Sequence, residues 1–474
     1  MALTRGANRI HRRMFAIIGA TMGIIMVGAV LMVGAPLVAV ATAYKAQMLC
    51  SEVFVIGRRA DEAAARLAID DLRPLAWIRA SLDTEKRTTR TRLFPLPARQ
   101  SRFDPSFGCV LQPTGDRTVA RPALNEVPST HAGSTLDSVA ALPAANRAAM
   151  DTVLDDAFAE PDSSHPRRTR AVVVIQHGAI VAERYADGVG PETPFIGWSM
   201  TKSVMNALLG IAVGKGLLQV DDPAPLHAWQ LSGDPRSRIT ISDLLHMSSG
   251  LRFEERDGDP SSDVLRMLFR EPDMAAFASS KPLTASPGSH WQYSSGTTVI
   301  LSRVLREVLG DSAYWRFPNT VLFEPLGMTH TLLETDASGT FVASSYMYAT
   351  AREWGRFGRL YLQDGVWQGR RILPAGWVDY SRTPARAAPG GIYGAHFWLS
   401  TPSEYRGPPA SLPAGIFQAV GHEGQFVTIV PSRDVVIVRL GRTRRASAWS
   451  HDRFVAAVLG ALPEDQDQKI NTRN

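Results

Sequence analysis

Ser199 and Lys202 stand three residues apart in Gly197-Trp198-Ser199-Met200-Thr201-Lys202-Ser203, just ahead of the helix-like run VMNALLGIAVGKGLL. On a helix, positions i and i+3 share a face, so the ammonium can sit beside the hydroxyl. A serine hydroxyl is a poor nucleophile until a neighbouring base takes its proton, and a lysine desolvated at a helix start can be that base. The helix N-terminus adds backbone N–H groups that favour a developing oxyanion. The chemistry would be acyl transfer through a serine ester. The same spacing also describes a surface serine and a lysine lying along an amphipathic helix, so other elements must decide.

Rival motifs fail on single residues. A nucleophile elbow G-x-S-x-G needs glycine where Thr201 stands. A phosphate loop ending at Gly214-Lys215 needs glycine where Leu209 stands. No H-E-x-x-H occurs, and His227, His246, His290, His330 and His396 are scattered, so neither a metal nor another cofactor is expected.

The Ser-x-x-Lys segment resembles the nucleophile box of the serine β-lactamase and penicillin-binding-protein superfamily, which implies two further elements in order. The second is Tyr293-Ser294-Ser295-Gly296, after the turn Pro287-Gly288. It is similar to the Tyr-x-Asn element of class C β-lactamases, with Ser295 where Asn is usual. The resemblance implies that Tyr293, near Lys202, moves the proton from Ser199 to the leaving group. The third is Gly421-His422-Glu423-Gly424-Gln425, leading into FVTIV. It resembles the Lys-Thr-Gly strand, with His422 for Lys. There Gly424 would let substrate approach the strand edge, and the Gln425 N–H would join the Ser199 N–H as an oxyanion hole. ITISDLLHMSSGL (239–251), LFEPLGM (322–328) and WGRFGRLYLQDGVWQGRRIL (354–373) extend the resemblance over most of 165–462. Within the superfamily it leans to the nylon-oligomer (6-aminohexanoate-dimer) hydrolases, several of them membrane-anchored. The activity implied is ester or amide hydrolysis, with a cell-wall D-peptidase, a β-lactamase or a catalytically silent tethered binder as the alternatives. His422, largely neutral at pH 7, would hold an antibiotic carboxylate less well than lysine does. Pocket shape is expected from the loop Arg252–Pro287.

These residues need a scaffold that brings distant segments together. Ala171–Gln176 and Ile180–Tyr185 read as a hairpin about His177-Gly178. Phe417–Val420, Phe426–Val430 and Val435–Leu440 read as strands, and Arg453–Leu462 as a helix. A helix-rich stretch lies between the two strand groups. The expected class is α/β (α+β): an antiparallel sheet assembled from both chain ends, flanked by helices, with an inserted helical lobe. That hydrolase domain is expected over 141–462, with a linker at 113–140 and a polar tail at 463–474.

The N-terminal part carries a different signal. Arg5, Arg9, Arg12 and Arg13 supply four of the chain's six net positive charges. With no Lys/Arg stripe elsewhere, a nucleic-acid partner is not expected. Met14–Ala43 holds no charged residue, and Met14–Ala35 alone would span about 33 Å as a helix, enough for a bilayer core. A single-pass anchor over 14–43 is expected, with the basic tail 1–13 cytoplasmic and the rest outside. Cleavage after Ala39-Val40-Ala41 or Ala41-Thr42-Ala43 is the alternative. A small unit follows at 44–112, with the chain's two cysteines, Cys50 and Cys109. In an oxidising compartment they could close a disulfide; otherwise they are two buried thiols.

Overall fold

The computed structural model describes residues 34–66, 73–94, 96–113, 139–256, 258–407 and 410–463. The expected basic tail, the first twenty residues of the expected span, most of the linker and nearly all of the polar tail lie outside them. The first described element is helix α1 (34–54). It runs straight through the expected boundary at Ala43 into the small unit, a four-stranded antiparallel meander. Its strands are β1 (Arg79–Asp83), β2 (Thr88–Arg92), β3 (Arg99–Asp104) and β4 (Gly108–Leu111).

Polar residues tie α1 to that sheet. Lys45 Nζ donates to Leu75 O and Ile78 O, Thr89 Oγ1 to Ala46 O, and Thr91 Oγ1 to Thr42 O. Cys50 and Cys109 form a disulfide that joins α1 to β4. Across its other side, Gln47 and Ser51 donate to the buried Glu334 carboxylate, and Arg442 pairs with Glu52 at 2.7 Å. Of the expected anchor, residues 14–33 lie outside the described residues, and only its last ten are seen. No helix among the described residues is long and apolar enough to cross a membrane. Residues 34–43 belong instead to a helix with Val40, Thr42 and Ala43 buried against protein. An apolar run reads alike whether lipid or a protein cleft covers it.

The main sheet follows from runs too apolar to leave one face in water. Strands β5 (Thr169–Gln176) and β6 (Ala179–Tyr185) pair with three late strands, β7 (Phe417–Gly421), β8 (Gln425–Val430) and β9 (Val435–Gly441). All pairings are antiparallel, in the order β7-β8-β9-β5-β6, with Val436 opposite Ile175 and Val438 opposite Val173. Strand periodicity sends alternate side chains to opposite faces. Val173, Ile175, Val427, Ile429, Val436 and Val438 face the large core. Val172, Val174, Phe426, Val430, Val435 and Ile437 face a second layer, where helices Ala144–Phe158 and His451–Ala461 supply Met150, Leu154, Val455 and Val458.

The large core is centred on helix α2 (Met200–Gly214), in which every residue from Met200 to Ala212 is buried. A helix apolar all round belongs inside a protein. Around it, between the two strand groups, stand α3 (Asp263–Arg270), α4 (Ser295–Leu309) and α5 (Ala351–Leu362). The fold is therefore the mixed antiparallel-sheet and helix arrangement expected, with the helical insert in place.

Candidate active site

The turn into α2 is unusually tight. The short strand Phe195–Ile196 pairs with Met347–Ala349, and Gly197 N donates to Met347 O at 2.8 Å. Trp198 then takes a left-handed φ of 47°, a cost that non-glycine residues accept mainly where the surroundings impose it, often at functional sites. Glycine is required just before it: a Cβ on Gly197 would lie 2.3 Å from the Trp354 ring. Ser199 follows as the N-cap residue of α2, and its side chain makes no cap hydrogen bond to the helix.

Lys202, one turn further, is 1% exposed. Its Nζ donates to Ser199 Oγ at 3.0 Å, Ser295 Oγ at 3.0 Å and Ser344 O at 3.1 Å. Three acceptors match the three donors of an ammonium. Its charge reaches further: buried His396 is pushed down to about 3, first by burial and then by Lys202 among its neighbours. His396 stays neutral, held by Leu245 O at 2.7 Å and Thr298 Oγ1 at 2.9 Å.

Tyr293 and Ser295 arrive from the start of α4. Ser294 caps that helix, its Oγ accepting from Thr297 N at 3.2 Å, and this fixes its two neighbours on either side of the cap. The Tyr293 ring centroid lies 4.8 Å from Lys202 Nζ, braced by Trp398 and Tyr393. Ser295 does not stand free to meet substrate as an Asn there would. It is 2% exposed, and it also donates its backbone N–H and hydroxyl to Glu255, at 2.8 and 2.5 Å. Sequence reasoning missed Glu255, which carries no motif and sits in the loop named only for pocket shape.

The third segment falls differently from expectation. Edge strand β7 ends at Gly421, and His422-Glu423-Gly424 form the turn, with Glu423 and Gly424 at positive φ. Gln425 thus opens the return strand β8, one position in from the edge. Its side chain is spent on structure, donating to Gly441 O at 2.7 Å and accepting from Gly441 N at 3.0 Å. Gly424 faces away, its carbonyl accepting from Arg439 at 2.7 Å. Neither lines the cavity over Ser199. Gly421 and His422 do. A Cβ on Gly421 would come within 2.1 Å of Gly197 O, so the glycine that lets two segments close together here is Gly421. His422 is exposed at the rim, its ring edge-on to Trp198 with centroids 5.7 Å apart.

Backbone direction completes the geometry. Gln418 N and O both pair with Trp398 on the outer side of β7, at 2.8 and 2.9 Å. Backbone groups along a strand alternate sides, so Val420 also presents its own outward, whereas His422, in the turn beyond Gly421, gives its carbonyl to Gln425 Nε2 at 3.1 Å. A cavity of about 450 Å³ lies over this constellation. Ser199, Tyr293, Ser295, Glu255 and His422 form its polar side. Val264, Leu265, Leu268 and Phe269 of α3, with Leu37, Val40, Ala41 and Tyr44 of α1, form its apolar side.

Known proteins resemble this chain in sequence and in fold. Residues 154–459 match the beta-lactamase family. A 6-aminohexanoate-dimer hydrolase of Paenarthrobacter ureafaciens is 25% identical over 293 residues, covering 57% of this chain and 72% of that protein. Two solved structures share the fold. The hydrolase EstCE1 superposes with a TM-score of 0.52 at 17% identity, over 67% of this chain and 98% of its own. A penicillin-binding-protein homologue from Caulobacter crescentus gives 0.51 at 18%, over 68% and 99%. The match spans well over half of the sequence and both halves of the site: this chain belongs to the beta-lactamase family of serine hydrolases.

Proposed function

We propose that the chain hydrolyses ester or amide bonds through an acyl-enzyme on Ser199. The observation that carries this reading is the 3.0 Å contact between Ser199 Oγ and Lys202 Nζ at the head of a buried helix. In its neutral form Lys202 takes the hydroxyl proton as Ser199 Oγ attacks the carbonyl carbon. The tetrahedral oxyanion is held by the backbone N–H groups of Ser199 and His422, the latter replacing Gln425 because it borders the cavity just past the edge strand. Collapse breaks the bond to the leaving group, which takes the proton through Lys202 and Tyr293. Water then repeats the cycle on the acyl-Ser199 ester.

The site offers little for β-lactams. His422 is exposed and stands where lysine is usual, and Ser295 is committed to Lys202 and Glu255. The relative named for 6-aminohexanoate-dimer hydrolysis supports a linear amide or ester as substrate class. The chain is further proposed to be membrane-anchored and to work outside the cytoplasm. The uncharged run Met14–Val33 and the arginines before it support this reading. The test is covalent labelling of the purified protein with a fluorophosphonate probe. Labelling that maps to Ser199 and disappears in Ser199→Ala and Lys202→Met is expected. Labelling that persists in Ser199→Ala would overturn the assignment. Nitrocefin turnover is expected to be poor.

A further inference from the structure

Half of the apolar side of the cavity comes from an element outside the matched family region. Leu37, Val40, Ala41 and Tyr44 follow i, i+3, i+4, i+7 spacing, one stripe along α1. Facing them, Val264, Leu265, Leu268 and Phe269 make one side of α3. Tyr44 and Phe269 meet edge to face with centroids 5.4 Å apart, bridging the two helices. From there Tyr346 and then Trp198 continue the aromatic wall to the residue beside Ser199, at 6.5 and 6.2 Å. Leu37, 51% exposed, marks the open end of this cleft. Glu404 and Arg444, both exposed, give the cavity a charged rim. A volume of about 450 Å³ lies in the range of pockets that enclose an extended ligand, and an apolar cleft of this size is unfavourable when filled only by water.

We propose that this cleft holds a long aliphatic chain on the acyl side of the scissile ester or amide, with its carbonyl at Ser199 and its polar leaving group at the rim. The proposal rests on the hydrolase reading of Ser199. It also gives α1 a purpose: the helix that follows the uncharged run Met14–Val33 forms half of the acyl site. The chain could belong to a bilayer lipid or to a dissolved acyl ester; the recognition chemistry is the same.

The test uses the full chain with p-nitrophenyl esters of two to twelve acyl carbons, below their aggregation limits. The value of kcat/KM is expected to rise about fourfold per added methylene until the cleft is full. Ala41→Trp and Leu265→Trp, which place bulk in the cleft from half-buried positions, should shrink the ten-carbon to two-carbon ratio at least tenfold. A flat or falling profile from two carbons upward would overturn the proposal, as would unchanged ratios in both variants. Fluorophosphonate labelling separates the two readings. Labelled Ser199 with a flat profile sinks only the chain proposal, whereas no labelling and no ester turnover sink both. A ten-carbon ester presented in phosphatidylcholine vesicles and as monomer then identifies the source, since preference for either form supports an acyl-chain site.

Discussion

The Glu255 carboxylate accepts both donors of Ser295, its backbone N–H at 2.8 Å and its hydroxyl at 2.5 Å. With its proton turned to Glu255, the Ser295 hydroxyl can only offer a lone pair to Lys202 Nζ, 3.0 Å away. Glu255 is thus a positioning residue: it sets the direction of the bond that aims the lysine at Ser199. Charge-assisted bonds of this length are strong and directional.

Glu255→Gln and Ser295→Ala should therefore lower kcat about tenfold or more, a part of what a well-placed general base contributes, with little change in KM. Because both act through one hydrogen-bond chain, the double variant should cost no more than the worse single one. Additive losses in a double-mutant cycle would show that the two act separately.

Gln425 gives the opposite expectation. Its amide bridges the buried N and O of Gly441 and also donates to the turn carbonyl of His422. Gln425→Ala leaves those groups unpaired and should cost about 1–3 kcal/mol of stability, read as a lower midpoint in urea. Rates of Ser199 labelling below that midpoint should stay close to those of the parent. A large loss of labelling in a fully folded variant would return Gln425 to the oxyanion hole.

Legibility in the sequence tracked how local each signal was. Ser199 and Lys202 are one helical turn apart, so their contact was readable from spacing alone. The sheet was readable because its inner strands β5, β8 and β9, buried on both faces, are nearly continuous apolar runs. Gln425 was assigned to the oxyanion hole by the resemblance of its segment, whereas only the structure shows which residues of that turn border the cavity. Glu255 was invisible for another reason: its partner lies 40 residues away, and a lone carboxylate in a loop carries no pattern. The end of the apolar run was read as lipid-facing because hydropathy records what a residue avoids and not what covers it.

Glu334 supplies a pH prediction. It accepts from Cys109 N at 2.8 Å, Gln47 Nε2 at 2.9 Å and Ser51 Oγ at 3.2 Å, joining α1 and β4 to the hydrolase core. Burial nevertheless pushes its carboxyl up to about 8, above the ordinary 4.5, against hydrogen bonds that favour the anion. The folded chain then binds the extra proton between those two values. Its contribution to stability is full at acid pH and declines as pH rises toward 8, at most on the order of 1 kcal/mol per unit. Glu334→Gln has no proton to lose. The difference in Tm between parent and variant should change steadily across pH 5 to 8, and a pH-independent difference would refute the assignment.

The disulfide should matter more to α1 than to the catalytic residues. Cys50 and Cys109 are 59 positions apart, and closing a loop of that length restricts the unfolded chain by up to about 4 kcal/mol in the chain-entropy account. Both sulfurs are fully buried, one on the helix that forms half the apolar cleft and one on the strand beside Glu334. Cys50→Ala combined with Cys109→Ala should lower stability by about 2–4 kcal/mol and speed amide hydrogen exchange first in α1 and β4. The turn at Ser199 and helix α2, held by Met347 and by the core around Leu208 and Leu209, should keep their protection. If exchange instead accelerated uniformly through α2, the small unit and the hydrolase domain would unfold as one cooperative block, and α1 could not loosen separately.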